Sequence, residues 1–185
     1  MMQAPLALSQ PRRWRPSGPL LAVGLALVLC AGLARADTYA DVQQLMRIGQ
    51  FPQAMALVER QLAAKPRDPQ LRFLKGVIQT ETGLSADAMA SFTRLTEDYP
   101  ELPEPYNNLA ALQAAQGRLD EARQLLEMAI QLDPKYAAAH ENLGDIHARL
   151  AAQAWSRAQQ LEAANPRVAP KLTAIRSLLA QPAPK

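Results

Sequence analysis

Apolar residues in this chain recur at intervals of three and four. That spacing gathers side chains on one face of a helix. Ala54 and Val58, Ala88 and Phe92, and Ala122, Leu126 and Ala129 mark three such stripes. A longer one runs through Leu143, His147, Leu150, Ala154, Ala158 and Leu161, and a short one through Leu172, Ile175 and Leu179. No run shows the β-branched alternation of a strand. The chain is rich in Ala, Leu, Gln, Glu and Arg, all good helix formers. The pattern therefore predicts an all-α fold.

The punctuation between the stripes is periodic. Gly49, Gly83 and Gly117 lie 34 residues apart, as do Ala54, Ala88 and Ala122, and again Pro66, Pro100 and Pro134. The clearest unit is Tyr106 to Pro134: a helix, a turn at Gly117-Arg118, a second helix, and a stop at Asp133-Pro134. A fixed period of this length is the signature of stacked helical hairpins. One hairpin cannot bury its apolar face alone. Stacked neighbours can, and a small constant rotation between them makes a superhelix with a concave side.

The formal charge of +3 is set by the first 36 residues. Arg12, Arg13, Arg15 and Arg35 lie there without an acid, and the remainder holds 16 Lys+Arg against 17 Asp+Glu. A nucleic-acid partner is not expected, because its footprint needs clustered basic charge. The same 36 residues read as a signal peptide: a basic stretch at 12–15, an apolar run from Leu20, and Ala34-Arg35-Ala36 as a cleavage site. The apolar run at 19–34 is 16 residues, short of the roughly 20 that span a bilayer. Cleavage after Ala36, export to the periplasm and no stable membrane anchor in the mature chain are the expectation. The one cysteine, Cys30, falls in this segment, so disulfides and thiol metal sites are not expected beyond it.

The motif resembles the tetratricopeptide repeat, whose 34-residue unit carries W-x2-L-G-x2-Y, then A-x3-F, then a late Pro. The resemblance covers nearly all of residues 37–168, with copies at about 37–68, 69–102, 103–136 and 137–168. A capping helix at 169–180 and a polar, proline-rich tail at 181–185 follow. Copy two has Gly76 in the close-contact slot, then Ala88, Phe92 and Pro100. Copy four departs from the pattern. Pro134 to Pro166 is 32 residues, and the two missing fall at the turn, where Leu150-Ala151-Ala152-Gln153 has no breaker. A tight hairpin near Ala151 and one continuous helix from about 138 to 164 are both compatible with that stretch.

The resemblance implies that the first helix of each copy lines the concave side. On this sequence those positions are Tyr39, Gln43, Met46 and Arg47; Phe73, Val77, Thr80 and Glu81; Asn107, Asn108, Ala111 and Ala115; and Glu141, Asn142, Asp145 and Arg149. Asn108 and Asn142 are in equivalent places, and an amide side chain suits the backbone of an extended peptide. Some family members hold an acidic C-terminal tail in a clamp of Lys, Arg and Asn. The slots matching it here are Tyr39, Phe73, Asn107 and Glu141, without a lysine, so that partner is not expected.

Candidate chemistry is sparse. His140 and His147 are two turns apart, wrong for a helical metal pair, and occupy packing slots of the repeat. Glu141 and Asp145 are an i, i+4 pair without a sign of burial. No nucleophile elbow, phosphate loop or dinucleotide fingerprint is present. The expectation is a non-enzymatic scaffold, without metal or cofactor, that holds a protein or extended peptide segment in the cell envelope. The alternative is a structural or accessory subunit of an envelope assembly complex, docked by its convex face or the copy-four helix. An enzyme-accessory domain comes third.

Overall fold

A computed structural model describes residues 38–180. The expected export segment at 1–36 and the tail at 181–185 lie outside the described residues. The chain divides into two compact units, Met1–Ala40 and Asp41–Lys185. Only three residues of the first are described.

Among the described residues there are eight helices and no strand. Helix α1 covers 38–47. It is followed by α2 (Phe51–Ala64), α3 (Pro69–Glu81), α4 (Ser85–Asp98), α5 (Pro103–Ala115), α6 (Leu119–Leu132), α7 (Ala137–Leu161) and α8 (Val168–Leu179). From α2 onward each helix packs against its successor, and α5 also touches α7. That last contact is what a stack requires, since first helices of adjoining copies must meet.

The turns explain the period. Gly49, Gly83 and Gly117 all adopt positive φ, from 73° to 78°. Glycine does so without the Cβ clash that penalises other residues. Around each, the amide of the following residue reaches back five positions: Gln50 to Leu45 (2.8 Å), Leu84 to Gln79 (2.8 Å) and Arg118 to Gln113 (3.0 Å). The glycine amides reach back three, to Met46, Thr80 and Ala114. This paired pattern caps the orphan carbonyls of a helix end and reverses the chain. The second helix of each copy then ends before a proline, and Pro69 and Pro103 occupy the first turns of α3 and α5, where the missing N–H costs nothing.

The core follows the stripes in α2, α4 and α6, but not in α7, where His147, Ala154 and Leu161 of the long stripe are exposed and Ala139 and Ile146 are buried instead. Ala54, Val58, Ala88, Phe92, Ala122, Leu126 and Ala129 are all fully or almost fully buried. Two clusters carry the middle of the stack. One joins Ala88, Phe92 and Leu95 to Leu109 and Leu112. The other joins Ala110, Leu126 and Ala129 to Ala139 and Ile146. Gly76 faces Phe92, and a Cβ there would lie 2.7 Å from its ring. The residue is small because the second helix comes that close.

Copy four does not fold back at Ala151. α7 is one helix of 25 residues. Without a residue suited to positive φ in 150–153, nothing ends the helix, and the helix formers there continue it. The return arm of the hairpin is supplied instead by α8, which packs on α7 through buried Val168 and Leu172. Lys171 Nζ stands 5.6 Å from the centre of the Trp155 ring, which is half-buried under this helix. Gly144, the counterpart of Gly76, has open space beside it.

Candidate functional site

The first helices α3, α5 and α7 carry two cavities. One, of about 230 Å³, lies between the starts of α3 and α5 and is lined by Pro69, Gln70, Phe73, Leu102, Glu104 and Pro105. The other, of about 260 Å³, lies between α5 and α7. Its floor is Ala110, Ala111, Ala114 and Ala115 with Leu126 and Ile146, and its wall is Asn142, Asp145 and Arg149. The floor is methyl-lined because α5 has alanine at every position that faces this way.

Phe73 serves two surfaces. It is half-buried, its ring centroid is 5.7 Å from that of Phe92, and its remaining face lines the first cavity. Val77 packs on the same cluster. Ala111 and Ala115 are exposed on the floor of the second cavity, and Asp145 is exposed at its wall. Glu141 is exposed one turn before Asp145. Glu81 is exposed at the end of α3, outside both cavities. Gln43 and Arg47 are exposed on α1 and line neither cavity. Tyr39 is half-buried and precedes the unit that begins at Asp41.

The amides behave differently from the expectation. Asn107 is buried, with 9% of its surface exposed, and does not line the face. Asn142 Nδ2 donates to Asn107 Oδ1 at 2.8 Å, tying α7 to α5. Asn108 Nδ2 donates to the Glu104 carbonyl one turn back in its own helix, at 2.9 Å. Each of these two amides thus engages one of its two N–H bonds within the protein. Arg149 is likewise a structural donor: its Nη2 donates to the Ala114 carbonyl at 2.8 Å, at the C-terminal end of α5. A cation is well placed there, because the last carbonyls of a helix carry partial negative charge.

Two residues that the repeat pattern did not single out also matter. Glu104 lies on the α5 face that continues through Asn108, Ala111 and Ala115. Its spacing of four from Asn108 is the signal that marks it. Tyr136 sits at the start of α7. Burial pushes its phenol above the usual range, and the negative charges of Glu104 and Asp133 push in the same direction.

His140 and His147 are exposed rather than packed. His140 Nε2 is 3.1 Å from the Pro134 carbonyl. Among the described residues no group of three or more His, Cys, Asp or Glu side chains is placed to hold a metal. No described helix is long and apolar enough to cross a membrane.

Hairpins stacked at a fixed period, with first helices forming one continuous face, define a helical-repeat solenoid. The chain belongs to the tetratricopeptide repeat family: a tetratricopeptide repeat model matches residues 39–103 and a TPR repeat model matches 113–150. A curated relative, the TPR repeat-containing thioredoxin TTL4 of Arabidopsis thaliana, is 32% identical over 142 residues. The match covers 73% of this chain and 20% of the relative, so the chain spans about a fifth of that protein's length. Among solved structures, TTC0263, a thermophilic TPR protein of Thermus thermophilus, superposes with a TM-score of 0.58 at 22% identity, covering 78% of this chain and 82% of that one. The first TPR of Spaghetti (RPAP3), bound to the HSP90 peptide SRMEEVD, has a TM-score of 0.57 at 19% identity, over 63% of this chain and 92% of that one. YrrB, described as a TPR protein with an unusual peptide-binding site, has a TM-score of 0.52 at 22% identity, over 56% of this chain and 54% of that one.

Proposed function

We propose that this chain is an exported scaffold that binds a protein partner in the cell envelope, holding an extended segment along the face of α3, α5 and α7. The observation that carries this reading is the pair of mainly apolar cavities on that face. Small-ligand and peptide sites share this make-up, a concave apolar floor with a few polar groups at the rim. The fold neighbour that holds an HSP90 peptide supports the same use of the architecture. The basic, apolar and small-residue layout of residues 12–36 supports export to the periplasm with cleavage after Ala36. The ligand class is a protein or peptide rather than a nucleic acid, and no catalytic or cofactor role is assigned.

A second reading is an accessory subunit of an envelope assembly, docked through the end of α7. It is favoured by Leu161, which is 73% exposed. Site-specific photo-crosslinking in the producing cells separates the two. A crosslinking amino acid at Ala111 or Asp145 should trap an envelope protein, while one at Glu127 on α6 should not. Adducts formed only from Leu161 would favour the docking reading and sink the groove. An intact N-terminus, or one not starting at Asp37, would sink the cleavage reading.

A further inference from the structure

Both cavities of the first-helix face carry an acid, and neither acid is paired. Glu104 lines the α3/α5 cavity and Asp145 the α5/α7 cavity. The ion pairs among the described residues join Arg72 to Asp98, Lys75 to Glu59, and Arg123 to Asp120 and Glu127. All of them lie away from these two carboxylates. Glu141, one turn before Asp145, is also exposed and takes no part in these pairs.

The one cation lining either cavity is Arg149, and it is tied to the end of α5 at the cavity wall. Its guanidinium donates to the Ala114 carbonyl, where the partial negative charge of the α5 terminus offsets part of its own. The α3/α5 cavity has no basic lining residue among the described ones. An apolar floor with unpaired carboxylates at successive openings is complementary to one kind of segment.

Resting on the groove reading above, we propose that the segment held by this face is basic: a large apolar side chain seated against Phe73 and a Lys or Arg reaching Asp145. Phe73 is on α3 and Asp145 on α7, with α5 between them, so two helix spacings of about 10 Å each separate the two anchors. An extended chain covers that span in about six residues. The favoured pattern is therefore an apolar residue followed about six positions later by a cation. Its sign is opposite to that of an acidic tail.

The probe is a pair of fluorescein-labelled peptides on a Gly/Ser background. One has Leu followed six residues later by Arg. The other has Glu in place of that Arg. Fluorescence anisotropy with the full chain at physiological salt should show the Arg peptide bound about tenfold more tightly. Glu104→Gln with Asp145→Asn should reduce the preference to about threefold or less. Asp87→Asn with Glu121→Gln, exposed acids on α4 and α6, should leave it intact. Tighter binding of the Glu peptide, or equal binding of the two, overturns the basic assignment and leaves the groove standing. So does an equal loss in the control variant, which would mean that net charge alone acts. Binding of neither peptide overturns both readings.

Discussion

Asn142 Nδ2 donates to Asn107 Oδ1 at 2.8 Å, joining two residues 35 apart in the chain. The bond spans the first helices of the third and fourth copies. It is made where Asn107 is buried, so it fixes how far α7 slides and rotates on α5. The Arg149 to Ala114 bond, further along the same pair of helices, has the same 35-residue offset. Together the two set the register of the α5/α7 cavity between them.

Truncating one amide strands the other. Asn142→Ala should cost about 1–2 kcal/mol, because the buried Asn107 loses a hydrogen-bond partner. Urea unfolding followed by circular dichroism measures it. A cost near zero would show that the bond does not hold the helices together.

The two first-helix glycines should respond with opposite signs. Gly76→Ala gains about 1 kcal/mol of helix propensity. It also drives a methyl to 2.7 Å from the Phe92 ring, which is buried and packed on Phe73. Overpacking of this kind costs about 1–3 kcal/mol, so a net loss of about 1 kcal/mol is expected. Gly144→Ala meets open space and should stabilise by about 0.5–1 kcal/mol. Thermal melts of the two variants beside the parent decide it.

Phe73 is a poor place to test partner binding. Its ring packs on Phe92 as well as lining the cavity. Phe73→Ala should cost about 2 kcal/mol of stability, less than a fully buried ring because part of it is exposed. Chemical denaturation reads the loss. Ala111→Gln, on the exposed floor, should change stability by less than about 0.5 kcal/mol and is the cleaner probe.

Tyr136 sets an alkaline limit. Its phenol is raised by burial, then by Glu104 and Asp133. The unfolded chain ionises first, near pH 10. The folded form then binds more protons than the unfolded, so stability falls as pH climbs from the unfolded value towards the raised folded one. Below that window the group contributes no slope. Tyr136→Phe should flatten the decline between the parent and variant curves above about pH 10. Parallel curves would show that the phenol titrates alike in both states.

The period was legible because a positive φ demands one residue type, and glycine at 49, 83 and 117 announces three turns at once. The buried stripe was legible for the same reason of strict geometry. Which amide faces outward was not. Asn107 and Asn108 are neighbours about 100° apart on a helix, and only the position of α7 decides that the first is covered. The histidines at 140 and 147 fill slots that are packed when a second helix folds back at Ala151. Here that return is made later, by α8, and those slots stay open. The missing turn was visible in 150–153, yet a tight loop and a continuous helix differ there by a few weak propensities. The face chemistry was half visible: Phe73, Ala111 and Asp145 were singled out, whereas Glu104 hid at the edge of a helix start.

The unbroken α7 is also a counting device. Each preceding hairpin offers its successor a fresh second helix to build on, so such a stack has no inherent end. Two residues absent from one turn remove that offer. The helix instead continues unbroken to 25 residues, and α8 packs on it. The break in the repeat pattern is thus written into a local deletion. Restoring a glycine turn there would make the number of repeats adjustable.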